Sequence, residues 1–163
     1  MFDRDVVTRA EAVLAAARAR GLTLATAESC TGGLVAAALT AVAGSSDVVD
    51  RGFVTYSNAA KTALVGVPAA LIDAHGAVSR EVAGAMARGA AGAAGVPLTV
   101  AVTGVAGPGG GSVDKPVGLV WFAAQGPAGL IEVERRFGDL GRDGVRRAAL
   151  LQALDLLLDR ATA

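Results

Sequence analysis

In Leu22-Thr-Leu-Ala-Thr-Ala-Glu-Ser-Cys-Thr-Gly-Gly33 a short apolar run bearing threonines gives way to a polar turn that ends in two glycines. Residues Leu22–Ala27 read as a strand, Glu28, Ser29 and Cys30 as a turn, and the alanine-rich residues from Thr31 to about Val42 as a helix. This strand-turn-helix unit is the signature of an α/β protein. It puts Ser29 at the carboxyl end of a strand, where such sheets bind their ligands.

On the N-terminal side, Val6, Val7, Ala10, Val13, Leu14 and Ala17 form one apolar helical stripe, closed by Gly21. On the C-terminal side, Gly52–Tyr56 reads as a second strand, and Ser57 or Asn58 caps a short helix that carries Lys61 and ends near Gly66. Pro68 opens a further helical turn. Ser79 caps a helix running to about Ala94, and Leu98–Val102 is a strand that feeds the glycine-rich segment Thr103–Ser112. Gly118–Ala124 and Leu130–Phe137, joined by a short turn, form an antiparallel hairpin. A final helix, Arg142–Arg160, carries an apolar side through Val145, Ala149, Leu150, Ala153, Leu154 and Leu157. The expectation is a single α/β domain over residues 1–163, with three α/β/α layers and a mixed, mostly parallel sheet.

Composition narrows the function. The chain is 53% hydrophobic, but apolar runs such as Leu34–Ala43 are too short to span a bilayer, so no membrane is expected. Met-Phe-Asp-Arg-Asp lacks the pattern of a secretory signal, which predicts a cytoplasmic protein. Fifteen basic residues balance fifteen acidic ones, leaving no global positive field for a nucleic-acid backbone. Cys30 is the only cysteine, which excludes an internal disulfide and a thiolate metal cage. Neither metal nor cofactor is expected. Only two of the fifteen basic residues, Lys61 and Lys115, are lysines, the cationic side chain that can be tuned to lose its proton.

Three polar segments leave strand ends: Ala27–Gly33, Tyr56–Lys61 and Thr103–Ser112. The first puts the Ser29 hydroxyl at a helix entrance, where free amides stabilise an oxyanion; the plainer role for Ser29 or Thr31 is to cap that helix. A serine needs a base. Lys61, just past the second strand, meets that need if burial keeps it neutral, whereas the lone histidine, His75, sits in a turn-like Ala-His-Gly. Cys30 is read as packing rather than nucleophile, having no histidine partner. The glycine-rich segment lacks the Walker A lysine and the dinucleotide Gly-x-Gly-x-x-Gly pattern, but its amides suit an anion nest or, more plainly, a mobile loop. Arg142 at the start of the last helix adds a guanidinium to a helix N-terminus, an arrangement suited to phosphate or to a surface salt bridge.

Taken together, Ala27–Gly33, Gly52–Asn58 with Lys61, His75–Ser79, Thr103–Ser112 and Lys115–Phe122 resemble the CinA C-terminal domain family, in its stand-alone form, from the first helix to the last. The resemblance implies a three-layer α/β/α homodimer that hydrolyses the carboxamide of nicotinamide mononucleotide to the acid and ammonia. It further implies Ser29 as nucleophile, Lys61 as its base and Tyr56 as a neighbour of the dyad. On the helix-entrance reading above, Cys30, Thr31, Gly32 and Gly33 would surround the reacting group. Thr103, Gly104, Gly107, Gly109 and Gly110 would line the nucleotide together with Arg142. Val113 replaces the polar residue or proline usual in the family loop, and Gly138-Asp-Leu-Gly-Arg142 is looser than the family's Gly-Asp-Arg. Larger family members carry an additional N-terminal domain, for which this chain has no room. Two other readings are a nucleotide-binding module without turnover, and a serine-lysine hydrolase of another amide.

Overall fold

The computed structural model describes residues 1–163. Helix α1 (Arg4–Ala19) starts where the Asp3 carboxylate accepts the Val6 amide and presents Val6, Ala10, Val13, Leu14 and Ala17 to the core. Strand β1 (Leu24–Glu28) is buried at every position, as a central strand must be. After the turn come α2 (Leu34–Thr40), a short 3-10 turn at Ser45–Asp47, β2 (Val49–Val54) and α3 (Asn58–Val65). Next are α4 (Ala69–His75), α5 (Arg80–Ala94), β3 (Leu98–Gly104), the hairpin β4 (Leu119–Gly126) and β5 (Gly129–Arg136), and α6 (Gly141–Thr162).

The sheet order is β2-β1-β3-β4-β5. β1 pairs in parallel with both β2 and β3, while β4 is antiparallel to β3 and to β5. Four strands therefore run in one direction and β4 runs against them, which is the expected mixed sheet. Register aligns Glu28 with Val54 on one side and with Val102 on the other, so β1 and β2 end level while β3 runs two residues further, to Gly104. Ser29 and Thr55, at the exits of β1 and β2, are therefore level with Thr103 near the end of β3.

Helices α1, α2 and α6 cover one face, sharing a 26-residue buried cluster with Leu24, Val100, Val102, Val120 and Phe122. Helices α3, α4 and α5 cover the other through 11 buried residues. That second layer sits close because the sheet offers it Ala27, Ala101 and Ala123. Gly89 of α5 also lets the α3 end approach: a Cβ there would lie 1.8 Å from the Val65 carbonyl oxygen. No helix is long and apolar enough to cross a membrane.

Two boundaries differ from the sequence reading in ways that matter. Helix α2 begins at Leu34 rather than Thr31 and ends at Thr40, because Gly32 and Gly33 adopt positive φ (58° and 99°) and keep residues 30–33 outside the helix. Strand β2 begins at Val49 and stops at Val54, which leaves Thr55 and Tyr56 in the loop whose carbonyls face Lys61.

Candidate active site

The turn after β1 is built around a side chain whose role the sequence reading missed. Glu28 is fully buried, and alternation along β1 puts it on the α2 side of the sheet with Thr26. Its carboxylate accepts the Thr26 hydroxyl (3.0 Å) and the amides of Gly33 (3.1 Å), Val35 (3.0 Å) and Ala36 (2.9 Å). A buried carboxylate needs such partners, and the first turn of α2 needs acceptors; each satisfies the other. Neither Ser29 nor Thr31 caps the helix. A charged residue inside an otherwise apolar strand was the signal available for finding this.

The same turn spends its other amides internally. Ser29 donates its amide to the Val102 carbonyl, Gly32 to Ser29 and Leu34 to Thr31. Two main-chain donors remain without an acceptor, the N–H groups of Cys30 and Thr31 directly after the serine. Gly32 and Gly33, expected to help surround the reacting group, have already spent theirs. The Cys30 thiol is buried, and desolvation pushes its pKa up to about 12, so it remains protonated and inert near neutrality.

Ser57 accepts the Ala60 amide and starts α3 so that Lys61, one turn in, points back toward β1. Its side chain is only 1% exposed. The ammonium nitrogen lies 3.2 Å from Ser29 Oγ, 3.0 Å from the Thr55 carbonyl oxygen and 3.5 Å from that of Tyr56. No carboxylate lies within salt-bridge distance of it. Burial without a counter-ion lowers its pKa below the ordinary lysine value of 10.5, and proximity to Cys30 opposes the shift. In the neutral amine, two N–H bonds can be donated to the carbonyls while the lone pair accepts the serine proton. Lys115, the other lysine, instead donates to the His75 carbonyl at the surface, and the His75 ring, at the end of α4, lies 3.6 Å from the Glu81 carboxylate.

Arg142, the second residue of α6, ties the remaining segments together. It donates to the Gly107 carbonyl and to the Tyr56 hydroxyl, each at 2.9 Å, and has no acidic partner. Tyr56 is 59% exposed at the rim. In the glycine-rich loop the amides of Ala106, Gly107, Gly109, Gly110 and Gly111 have no acceptor, as an anion nest requires. Thr103 is buried and donates its hydroxyl to the Ala77 carbonyl, so it braces the loop's base; Gly104 pairs with Val120 inside the sheet. Arg146 is a second residue absent from the sequence reading. One helical turn beyond Arg142, it donates to the carbonyls of Cys30 and Thr31, both at 3.2 Å. Four cavities indent the surface, and neither Ser29 nor Lys61 lines any of them.

A serine beside a buried lysine is the pairing that the family resemblance implies. The CinA C-terminal domain model matches residues 7–161, nearly the whole chain. This chain belongs to the CinA C-terminal domain family. A CinA-like protein of Synechococcus sp. (strain RCC307) is 54% identical over 157 residues, covering 96% of this chain but 38% of that protein. One from Anaeromyxobacter dehalogenans (strain 2CP-C) is 55% identical over 89% of this chain and 35% of its own length. The chain thus spans less than two fifths of these curated relatives. Solved CinA-superfamily structures match it end to end. The competence/damage inducible protein CihA of Agrobacterium tumefaciens has a TM-score of 0.95 at 48% identity, covering 98% of this chain and 97% of that one. A CinA superfamily protein of Escherichia coli has a TM-score of 0.91 at 34% identity, covering 97% and 92%.

Proposed function

We propose that this CinA-family domain is an amidohydrolase that converts nicotinamide mononucleotide to nicotinic acid mononucleotide and ammonia. The observation that carries the reading is Lys61 Nζ, buried without a counter-ion and 3.2 Å from Ser29 Oγ. Neutral Lys61 removes the Ser29 proton as the oxygen attacks the carboxamide carbon. The Cys30 and Thr31 amides receive the oxyanion. As the tetrahedral centre collapses, the Lys61 ammonium returns the proton to the leaving nitrogen and ammonia departs, leaving an ester on Ser29. Water, deprotonated by the same amine, then hydrolyses the ester and releases the acid.

The nucleotide's phosphate accounts for the remaining features. The Arg142 guanidinium has no carboxylate partner, and five loop amides beside it lack acceptors. A phosphate bound there converts remote binding energy into orientation at the carboxamide, which favours the mononucleotide over free nicotinamide. Such a substrate belongs to the cytoplasm. We also propose a homodimer, as the family resemblance implies, to which the exposed hydrophobic residues Val54, Tyr56, Leu64, Val113 and Leu140 offer candidate contacts. Light scattering should then give twice the 16.0 kDa chain mass.

The deciding experiment measures ammonia release from nicotinamide mononucleotide, nicotinamide riboside and nicotinamide. Release should be fastest from the mononucleotide. Turnover of simple amides alone would make the protein a different serine-lysine hydrolase, and nucleotide binding without ammonia would make it a binding module.

A further inference from the structure

Resting on the acyl-transfer reading above, we infer that Arg146 is a positioning residue of the oxyanion site, acting through the main chain of the nucleophile turn. The Cys30 carbonyl and the Thr31 N–H belong to the same peptide group. Arg146 Nε donates to that carbonyl at 3.2 Å, and Nη2 donates to the next carbonyl, of Thr31, also at 3.2 Å. One guanidinium therefore grips two successive peptide planes. The first of them carries one of the two amides in the turn that have no acceptor.

This grip fixes the direction of the Thr31 N–H, because a peptide plane held at its oxygen cannot rotate its N–H away. It also strengthens the donor: a cation on the carbonyl draws electron density through the amide and leaves the N–H more positive. Charge is available for this purpose. Arg9, Arg18 and Arg147 are all paired with aspartates, whereas no carboxylate lies within 4 Å of the Arg146 guanidinium, although Asp143 lines the same cavity. From the other side, the buried Glu28 carboxylate holds the Gly33, Val35 and Ala36 amides. Glu28 thus anchors the donors that the reaction does not use, and Arg146 orients one that it does.

The test uses Arg146→Ala and the volume-retaining Arg146→Met, with folding checked by circular dichroism. Removing an oxyanion donor outright costs about 10²–10³ in kcat. Here the donor remains but is loosened, so kcat should fall about 10- to 100-fold with the KM for nicotinamide mononucleotide little changed. A cavity of about 260 Å³, lined in part by Arg146, Leu34 and Asp143, gives exogenous guanidinium access to the vacated place in Arg146→Ala. Millimolar guanidinium should restore part of the lost kcat there and none in wild type. Arg146→Lys, able to reach one carbonyl, should fall between.

Wild-type kcat in both folded variants would overturn the inference. So would matched losses in kcat and affinity without guanidinium rescue, which would indicate a structural role. Labelling of Ser29 by an organophosphorus probe separates this inference from the substrate assignment, since phosphorylation uses the same oxyanion donors. If wild type is labelled but releases no ammonia from the mononucleotide, and Arg146→Ala slows labelling, the substrate is wrong and the positioning role stands. Equal labelling rates would sink the positioning role even with the substrate confirmed.

Discussion

Residues 28–36 and 104–112 leave neighbouring parallel strands, and both contain glycines, yet they treat their main-chain amides in opposite ways. In the first segment, Glu28, Ser29, Thr31 and Val102 accept the amides of residue 29 and residues 32–36, which leaves those of Cys30 and Thr31. In the second, five amides from Ala106 to Gly111 are unclaimed, and the loop is held by Val105 paired with Gly118 and Leu119, by Arg142 on the Gly107 carbonyl and by the Ser112–Lys115 turn. The turn that carries Ser29 is therefore a tightly bonded device offering two donors at one place. The glycine-rich loop is an adaptable one offering many. Chemistry at a single carbonyl carbon needs the first kind, while a phosphate with several equivalent oxygens is served by the second.

The contrast is broken most severely at the serine itself. Ser29→Ala should reduce kcat by about 10⁴-fold or more while leaving nucleotide affinity nearly unchanged, as read by steady-state kinetics and calorimetry. Loss of affinity equal to the loss of turnover would mean that the turn binds rather than reacts. Lys61→Arg should follow with a loss of about 10³-fold, because arginine keeps the charge but cannot become neutral. The wild-type rate should rise with pH as Lys61 deprotonates, with a midpoint below the ordinary 10.5. Wild-type turnover in Lys61→Arg would move Lys61 to a binding role.

The remaining two substitutions sharpen the comparison rather than break it. Gly33→Ala puts a Cβ on a residue at φ 99°, which should cost about 1–2 kcal/mol of stability in chemical denaturation and lower kcat roughly tenfold. Gly109→Ala meets nothing within 4 Å and has no positive φ, so it should gain about 0.4–1 kcal/mol of stability and keep its kcat, with any loss falling on KM because Gly109 belongs to the proposed phosphate loop. A larger kcat effect at Gly109 than at Gly33 would reverse the assignment of tightly bonded and adaptable loops.

Most of the fold was legible because its signals are local and periodic. The α1 and α6 stripes, the Ser57 and Ser79 caps and the hairpin all lie where hydrophobic period and turn chemistry put them. The α2 start was misread because alanine and threonine composition gave no warning that Gly32 and Gly33 would take positive φ. Ser29 and Lys61 could be nominated by residue type, but their meeting depends on β1 and β2 being neighbours in level register, a nonlocal fact. Glu28 and Arg146 escaped for a related reason. Both act on main-chain atoms: Arg146 leaves no trace of this in the side-chain pattern, while Glu28 was signalled only by its charge in an apolar strand and was read as part of the turn. Thr103 shows the converse: a polar residue in a motif whose hydroxyl is spent on the Ala77 carbonyl.

The isolation of Lys61 carries a thermodynamic consequence for the whole domain. Because its charged form is disfavoured only in the native state, folding at low and neutral pH must either bury an ammonium or release a proton that the unfolded chain would keep. That cost is full below the lowered native pKa. Between that value and 10.5 the unfolded chain binds more protons than the folded one, so stability rises with pH; above 10.5 the cost is gone. Lys61→Met should therefore unfold at a higher temperature than wild type near neutrality, by an amount equivalent to about 1 kcal/mol, and should lose that alkaline rise. An inactive variant more robust than its parent would mark the dyad as a place where this fold is held away from its own stability optimum.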